Sequence, residues 1–132
     1  MIVTDTNILV YLLMPSELTG LAERLRHRDA DWLVPRLWRS EMRNVLAQYM
    51  RRSLISADEA IELMSLADAR VAGREYEPNS SDVLNLVSHS ACTAYDCEFV
   101  ALAKHYGVKL VTMDRKIVNA FPETAALLTD YV

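Results

Sequence analysis

Only three glycines stand among the 132 residues, and none falls in a glycine-rich run. That removes the loops whose bare backbone cradles a nucleotide phosphate. Histidine is as scarce: His27, His89 and His105 are scattered, with no evident nucleophile to serve as general base for. The two cysteines, Cys92 and Cys97, have no zinc-ligand spacing with any histidine and read as reduced thiols of a cytoplasmic protein. No apolar run reaches the roughly 18 to 20 residues that span a bilayer, so no membrane association is expected. The N-terminal MIVTDTNILVYLLMP lacks a basic leader and carries Asp5 early, a poor match to a secretory signal. Aromatics make up 8% of the chain, too few to signal a platform that stacks and reads single-stranded RNA bases. Internal repeats and low-complexity segments are absent.

What is present is a hydrophobic share of 52%, enough to exclude disorder and to fill a core, so residues 1–132 are expected to form a single domain. The net charge of −4 hides an asymmetry. Eight of the eleven arginines lie in residues 1–52, which carry a net +2, whereas residues 53–132 carry −6. A local excess of arginine suits a polyanion, because the guanidinium matches phosphate geometry. Arg39 and Arg43 are the candidates for RNA contact, and solvated helix faces are the other reading of the same residues.

Strand and helix signals alternate along the chain. MIVT, WLV at 32–34, REYE at 74–77 and KLVTM at 109–113 read as short strands, the third at an edge. TNILVYLLM reads as a short helix halted by Pro15. Ser16 is expected to cap the next helix, with Leu18, Leu21 and Leu25 on one face. Further helices are predicted over 37–52, from the capping box SADE at 56–59 to Gly73, over 80–90, and over 93–106 up to Gly107. On the last of these, Tyr95, Phe99, Leu102, Ala103 and Tyr106 make an expected core stripe. A short helix and a final strand or turn follow Ile117. Strands separated by helices imply crossovers, hence a mostly parallel sheet with helices on both faces.

Four carboxylates stand out against that frame. Asp5 and Asp114 each follow an apolar strand, and open parallel sheets bind ligands beyond the carboxyl ends of their strands. Each also suits the N-cap of the following helix, and the two roles are compatible. Glu41 lies beside the apolar stripe of Leu37, Trp38, Met42, Val45 and Tyr49, where a carboxylate needs a cation. A metal ion or a salt bridge from Arg36, Arg39 or Arg43 meets that need. Asp96 stands three residues after Thr93, as in a capping box, and fits either a helix start or the same acidic cluster. Hard oxygen ligands of this kind suit Mg2+ or Mn2+ rather than zinc, and two such ions can clamp a phosphodiester.

Taken in order, Asp5 in MIVTDTNILVYL, Glu41 in LWRSEMRNVL, Asp96 in TAYDCEFVALAKHYG and Asp114 in KLVTMDRKI resemble the acidic quartet of PIN-domain nucleases. The likeness runs through essentially the whole chain and includes AFP at 120–122. A stand-alone chain of this length is similar to the VapC toxins of bacterial and archaeal toxin–antitoxin pairs. The resemblance implies an α/β PIN-like fold, with a central mostly parallel sheet of four to five short strands flanked by helices on both sides. It implies a Mg2+- or Mn2+-dependent endoribonuclease with Asp5, Glu41, Asp96 and Asp114 as catalytic metal ligands, one or two ions, an RNA substrate, a homodimer and a cognate antitoxin protein. Thr112 and Asn7 stand where the family often has polar accessory residues. Arg115 and Lys116 are further candidates for substrate phosphate. The family's occasional extra acid after the last aspartate is missing here, where Arg115, Lys116 and Asn119 stand, so the resemblance implies one tight ion and a second held with substrate.

Two other function classes fit parts of the pattern. A phosphatase of the haloacid-dehalogenase type or a response-regulator receiver also places an aspartate at a strand end. The first needs another aspartate two residues on, where Asn7 stands, and the second needs an acidic pair and a strand-end lysine that are not found. A non-catalytic PIN-like binding module is the remaining alternative, separated from the enzyme by metal-dependent cleavage.

Overall fold

The computed structural model describes every residue from Met1 to Val132. Ile2–Thr4 (β1) runs down the middle of a five-stranded sheet. On one side it pairs with Trp32–Pro35 (β2), which pairs in turn with the two-residue edge Glu75–Tyr76 (β3). On the other it pairs with Leu110–Thr112 (β4), followed by Ala125–Leu127 (β5). The order is β3-β2-β1-β4-β5 and all four pairings are parallel.

Parallel neighbours need crossovers, and helices supply them. Thr6–Leu13 (α1) and Thr19–Arg28 (α2) join β1 to β2; Trp38–Arg51 (α3) and Ala57–Arg70 (α4) join β2 to β3. Ser80–Ser88 (α5) and Ala94–Tyr106 (α6) join β3 to β4, Arg115–Ala120 (α7) joins β4 to β5, and Leu128–Tyr131 (α8) follows.

The period-two alternation of the strands divides the core between the two faces of the sheet. Ile2, Trp32, Val34 and Val111 point into one cluster, with Leu9 of α1, Leu25 of α2, Trp38 and Met42 of α3 and Leu128 of α8. Val3, Leu33, Leu110 and Ala125 point into the other, with Val83 of α5, Phe99 and Leu102 of α6 and Ile117 of α7. Cys92 and Cys97 are buried, unpaired members of this second cluster.

Local chemistry sets most of the helix ends. Ser56 and Glu59 form the reciprocal capping box at the start of α4. Gly107 closes α6 in the left-handed region at φ 63°, which costs a residue without Cβ little. Two details differ from the sequence expectation. Ser16 does not cap α2: its hydroxyl accepts from the Leu18 N–H, and its own N–H donates to Thr19, which opens the helix one turn later. Tyr95 and Tyr106 leave the expected stripe and are 64% and 38% exposed. The buried middle of α6 is packed over Phe99–Ala103, and Tyr106 at its end meets Tyr76 of the edge strand with ring centroids 5.2 Å apart.

Candidate active site

β1 and β4 lie side by side, with Thr4 opposite Val111, so their carboxyl ends reach the same rim. The strand order reverses at β1, and such a reversal leaves a crevice between the flanking helices. Asp5 follows β1 at this point. Thr112, the last residue of β4, donates its hydroxyl to the Asp5 carboxylate and accepts the Asp114 N–H at 3.0 Å. One buried hydroxyl therefore joins the two strand-end acids.

Each of those acids is also an N-cap. The Asp5 carboxylate accepts the Ile8 N–H at 3.3 Å and the Asp114 carboxylate accepts the Lys116 N–H at 2.9 Å. The capping and the acidic-cluster readings hold together, because an N-cap uses one lone pair and leaves others free.

Glu41 comes to the same place from α3. Trp38, Met42 and Leu46 bury one stripe of this helix, and Glu41 stands at its border. Its Oε1 accepts the hydroxyl of Thr6, in the first turn of α1, at 2.6 Å. None of the molecule's ion pairs involves Glu41, so the salt-bridge reading from Arg36, Arg39 or Arg43 is not what the structure adopts. Asp96 arrives from the first turn of α6. Thr93 caps that helix by accepting the Asp96 N–H at 3.1 Å, but the Asp96 carboxylate returns no bond and lines the crevice instead.

All four carboxylates line one cleft of about 290 Å³, together with Asn7 from α1 and Asn44 and Gln48 from α3. Val45, Phe99 and Ile117 form its apolar lining. Every ionisable group in the cleft is an acid. Burial, above all, raises Asp5 from 3.8 to about 6; the Glu41 charge adds to this, while Thr112 and the Ile8 N–H oppose it. Burial likewise raises Glu41, with the Asp96 charge adding and Thr6 opposing.

This donor set fits a hard divalent cation. It is all oxygen, negatively charged, without an ion-paired base, and two of its members are held short of easy ionisation, chiefly by burial and further by a neighbouring acid. The carboxylates line the cleft without closing on a point: no three stand together at ligating distance, as expected of like charges.

The basic candidates fall elsewhere. Arg39 leaves the cleft side altogether, donating two bonds to Glu75 at 2.7 and 2.5 Å and pairing with Asp68 at 2.6 Å. It ties α3 to the edge strand and to α4. Arg43 follows Glu41 by two residues and so points away from it round the helix, exposed and outside the cleft lining. Arg115 and Lys116 are exposed at the start of α7, beside Asp114 but not among the lining residues. Because the Arg39 pairs are partly exposed, Arg39→Ala is expected to cost about 1 kcal/mol in a denaturant melt. Its affinity for RNA should match the unsubstituted protein at low and high salt; a flattened salt dependence would return Arg39 to the substrate path.

Thr6, Asn44 and Gln48 are lining residues that sequence reasoning missed. The three- and seven-residue spacing of the two amides from Glu41 was the available signal, since those offsets share a helix face.

The PIN domain family model matches residues 2–125. Ribonuclease VapC3 of Pyrobaculum aerophilum is 31% identical over 125 residues, spanning 92% of this chain and 95% of that protein. Among solved structures, FitAcB from Neisseria gonorrhoeae superposes with a TM-score of 0.73 at 20% identity, over 96% of both chains. A chain of a toxin–antitoxin complex from Klebsiella pneumoniae gives 0.71 at 13% identity, over 97% of this chain and 98% of that one. At such identities the structural likeness speaks for the fold.

Proposed function

This chain belongs to the PIN-domain family, and from that premise we propose that it is a VapC-type toxin, a metal-dependent endoribonuclease that hydrolyses RNA phosphodiester bonds. The observation that carries the reading is the convergence of Asp5, Glu41, Asp96 and Asp114 on one cleft that holds no base. These four would hold one or two Mg2+ or Mn2+ ions. When bound, such ions polarise a phosphoryl oxygen and make water nucleophilic near neutral pH.

The chain's own groups prepare that chemistry. Thr112 and the Ile8 N–H hold the two oxygens of Asp5 and Thr6 holds Oε1 of Glu41, which fixes both carboxylates and leaves Glu41 Oε2 and the remaining lone pairs of Asp5 to the cleft. The same two hydroxyls favour the ionised forms and so counter the cost of burial. Asn7, exposed in the first turn of α1, offers an amide at the rim. Arg115 and Lys116 lie next to Asp114, where a substrate phosphate leaving the cleft would pass.

Residues 1–132 form one nuclease domain in this reading. The Klebsiella complex, named as a toxin with its antitoxin, supports a protein antitoxin as partner here, and a homodimer is part of the same proposal. No helix is long and apolar enough to cross a membrane, which accords with a cytoplasmic enzyme.

The deciding experiment is cleavage of a mixed RNA pool with Mg2+, Mn2+ or EDTA, beside the Asp96→Asn protein. Cleavage is expected with either ion, and none with EDTA or with Asp96→Asn. Equal cleavage by Asp96→Asn, or cutting that persists in EDTA, would sink the assignment of the cleft.

A further inference from the structure

The cleft presents a difficulty of charge. A phosphodiester is an anion, and every ionisable side chain lining the cleft is also an acid. Cations bound by the carboxylates answer this at the scissile group alone. The nucleotides on either side need donors that neither carry charge into the acidic cluster nor pair with Glu41.

α3 offers such groups. Asn44 and Gln48 line the cleft, are exposed, and make no side-chain hydrogen bond within the protein. They follow Glu41 by roughly 4.5 and 10.5 Å along the helix axis. Arg51 continues the same exposed strip near the end of α3, roughly 15 Å from Glu41, and takes part in none of the ion pairs. The sequence Glu41, Asn44, Gln48, Arg51 is thus a graded track: an acid in the cluster, two neutral amides, then a free guanidinium where repulsion from the cluster's counter-ions has faded.

Helix stability does not account for Asn44. Asparagine is among the weaker formers in a helix interior, and here it caps nothing and bonds to nothing. An arginine at position 44 would reach Glu41 and neutralise it, whereas an amide leaves the acid's charge intact. An amide also presents both a donor and an acceptor, the pair needed to meet a base edge or a ribose hydroxyl of single-stranded RNA.

We propose that Asn44 and Gln48 form a substrate subsite that binds the nucleotide flanking the scissile phosphate, with the RNA strand continuing along α3 to a phosphate contact at Arg51. The inference rests on the nuclease reading above and adds the direction of the strand and the residues that set sequence preference.

The test uses the full chain with Asn44→Ala, Gln48→Ala, the double variant and Asn44→Asp, on an RNA oligonucleotide chosen from the wild-type cleavage map. The double variant is expected to raise KM about tenfold or more with kcat within about threefold, because it removes binding rather than chemistry. Its cleavage map should lose preference at the flanking nucleotide. Asn44→Asp should raise KM further by adding a like charge. Binding of the same oligonucleotide to Asp96→Asn, with and without the double substitution, should weaken in parallel. Alanine is a better helix former than either amide, so thermal melts should show no loss of fold. If the wild type cuts RNA while KM and the cleavage map are unmoved by the double variant, this inference fails and the nuclease reading stands. If the wild type cuts no RNA with either cation, both fail.

Discussion

Asp5→Asn is expected to reduce RNA cleavage on the order of a thousandfold or more, and at the same time to raise the melting temperature of the metal-free protein. The two effects have one cause. Asp5 stands at the reversal of strand order, shares a hydroxyl with Asp114 through Thr112, and is raised to about 6 chiefly by burial. Folding therefore favours its protonated form. The stability that this group contributes is complete below its ordinary value of 3.8 and is lost as pH rises through about 6. At pH 8 the metal-free protein carries an ionised acid in a place that resists it, at a cost of about 1–3 kcal/mol. Asparagine keeps the shape and the bond to Ile8 without the charge. Melts in EDTA should thus place Asp5→Asn about 3–8 °C above the wild type at pH 8, with the gap closing towards pH 4. Added Mg2+ should raise the wild type and leave the variant unmoved. A gap that is the same at pH 4 and pH 8 would mean that the carboxylate is not strained by its site.

Trp38→Ala should have the largest effect on stability. Trp38 is fully buried at the start of α3, three residues before Glu41, in the cluster that seats this helix against the sheet. Truncating a buried tryptophan costs about 3–5 kcal/mol, from lost transfer energy and the cavity left behind. In a chain whose total stability is on the order of 5–15 kcal/mol, the denaturant midpoint should fall by about a fifth or more. Glu41, Asn44 and Gln48 all ride on α3, so cleavage should drop as well, more steeply with temperature than for the wild type. Trp38→Phe should recover much of both losses by refilling the space. A midpoint within the error of the wild type would mean that α3 is seated by other contacts.

The fold and the four acids were legible because each left a local mark. Asp5 and Asp114 break apolar runs at a strand end, Glu41 interrupts the flank of an amphipathic helix, and Ser56 and Glu59 spell out a cap. Of the hydroxyls that hold the acids, Thr112 was marked only through the family resemblance and Thr6 not at all. Thr112 meets an acid 107 residues away and Thr6 one 35 residues away, and a threonine in a strand or a first helical turn reads as ordinary. The pairing of Arg39 was hidden for a related reason. Spacing put it on α3, but the side it serves is decided by Asp68 and Glu75 on other elements. Ser16 shows the local limit of such reading: its hydroxyl closes a turn with the Leu18 N–H, and α2 starts at Thr19 with no side-chain cap.

The central place of β1 has a consequence for synthesis. It is made before both of its neighbours, and one of them, β4, follows roughly a hundred residues later. Until then Asp5 has no Thr112 to fix it and no Asp114 beside it. Contacts so distant along the chain also close late in folding. The four acids therefore share one cleft only after synthesis has passed Asp114, so a nascent chain that stops short of β4 has no assembled site with which to cut RNA.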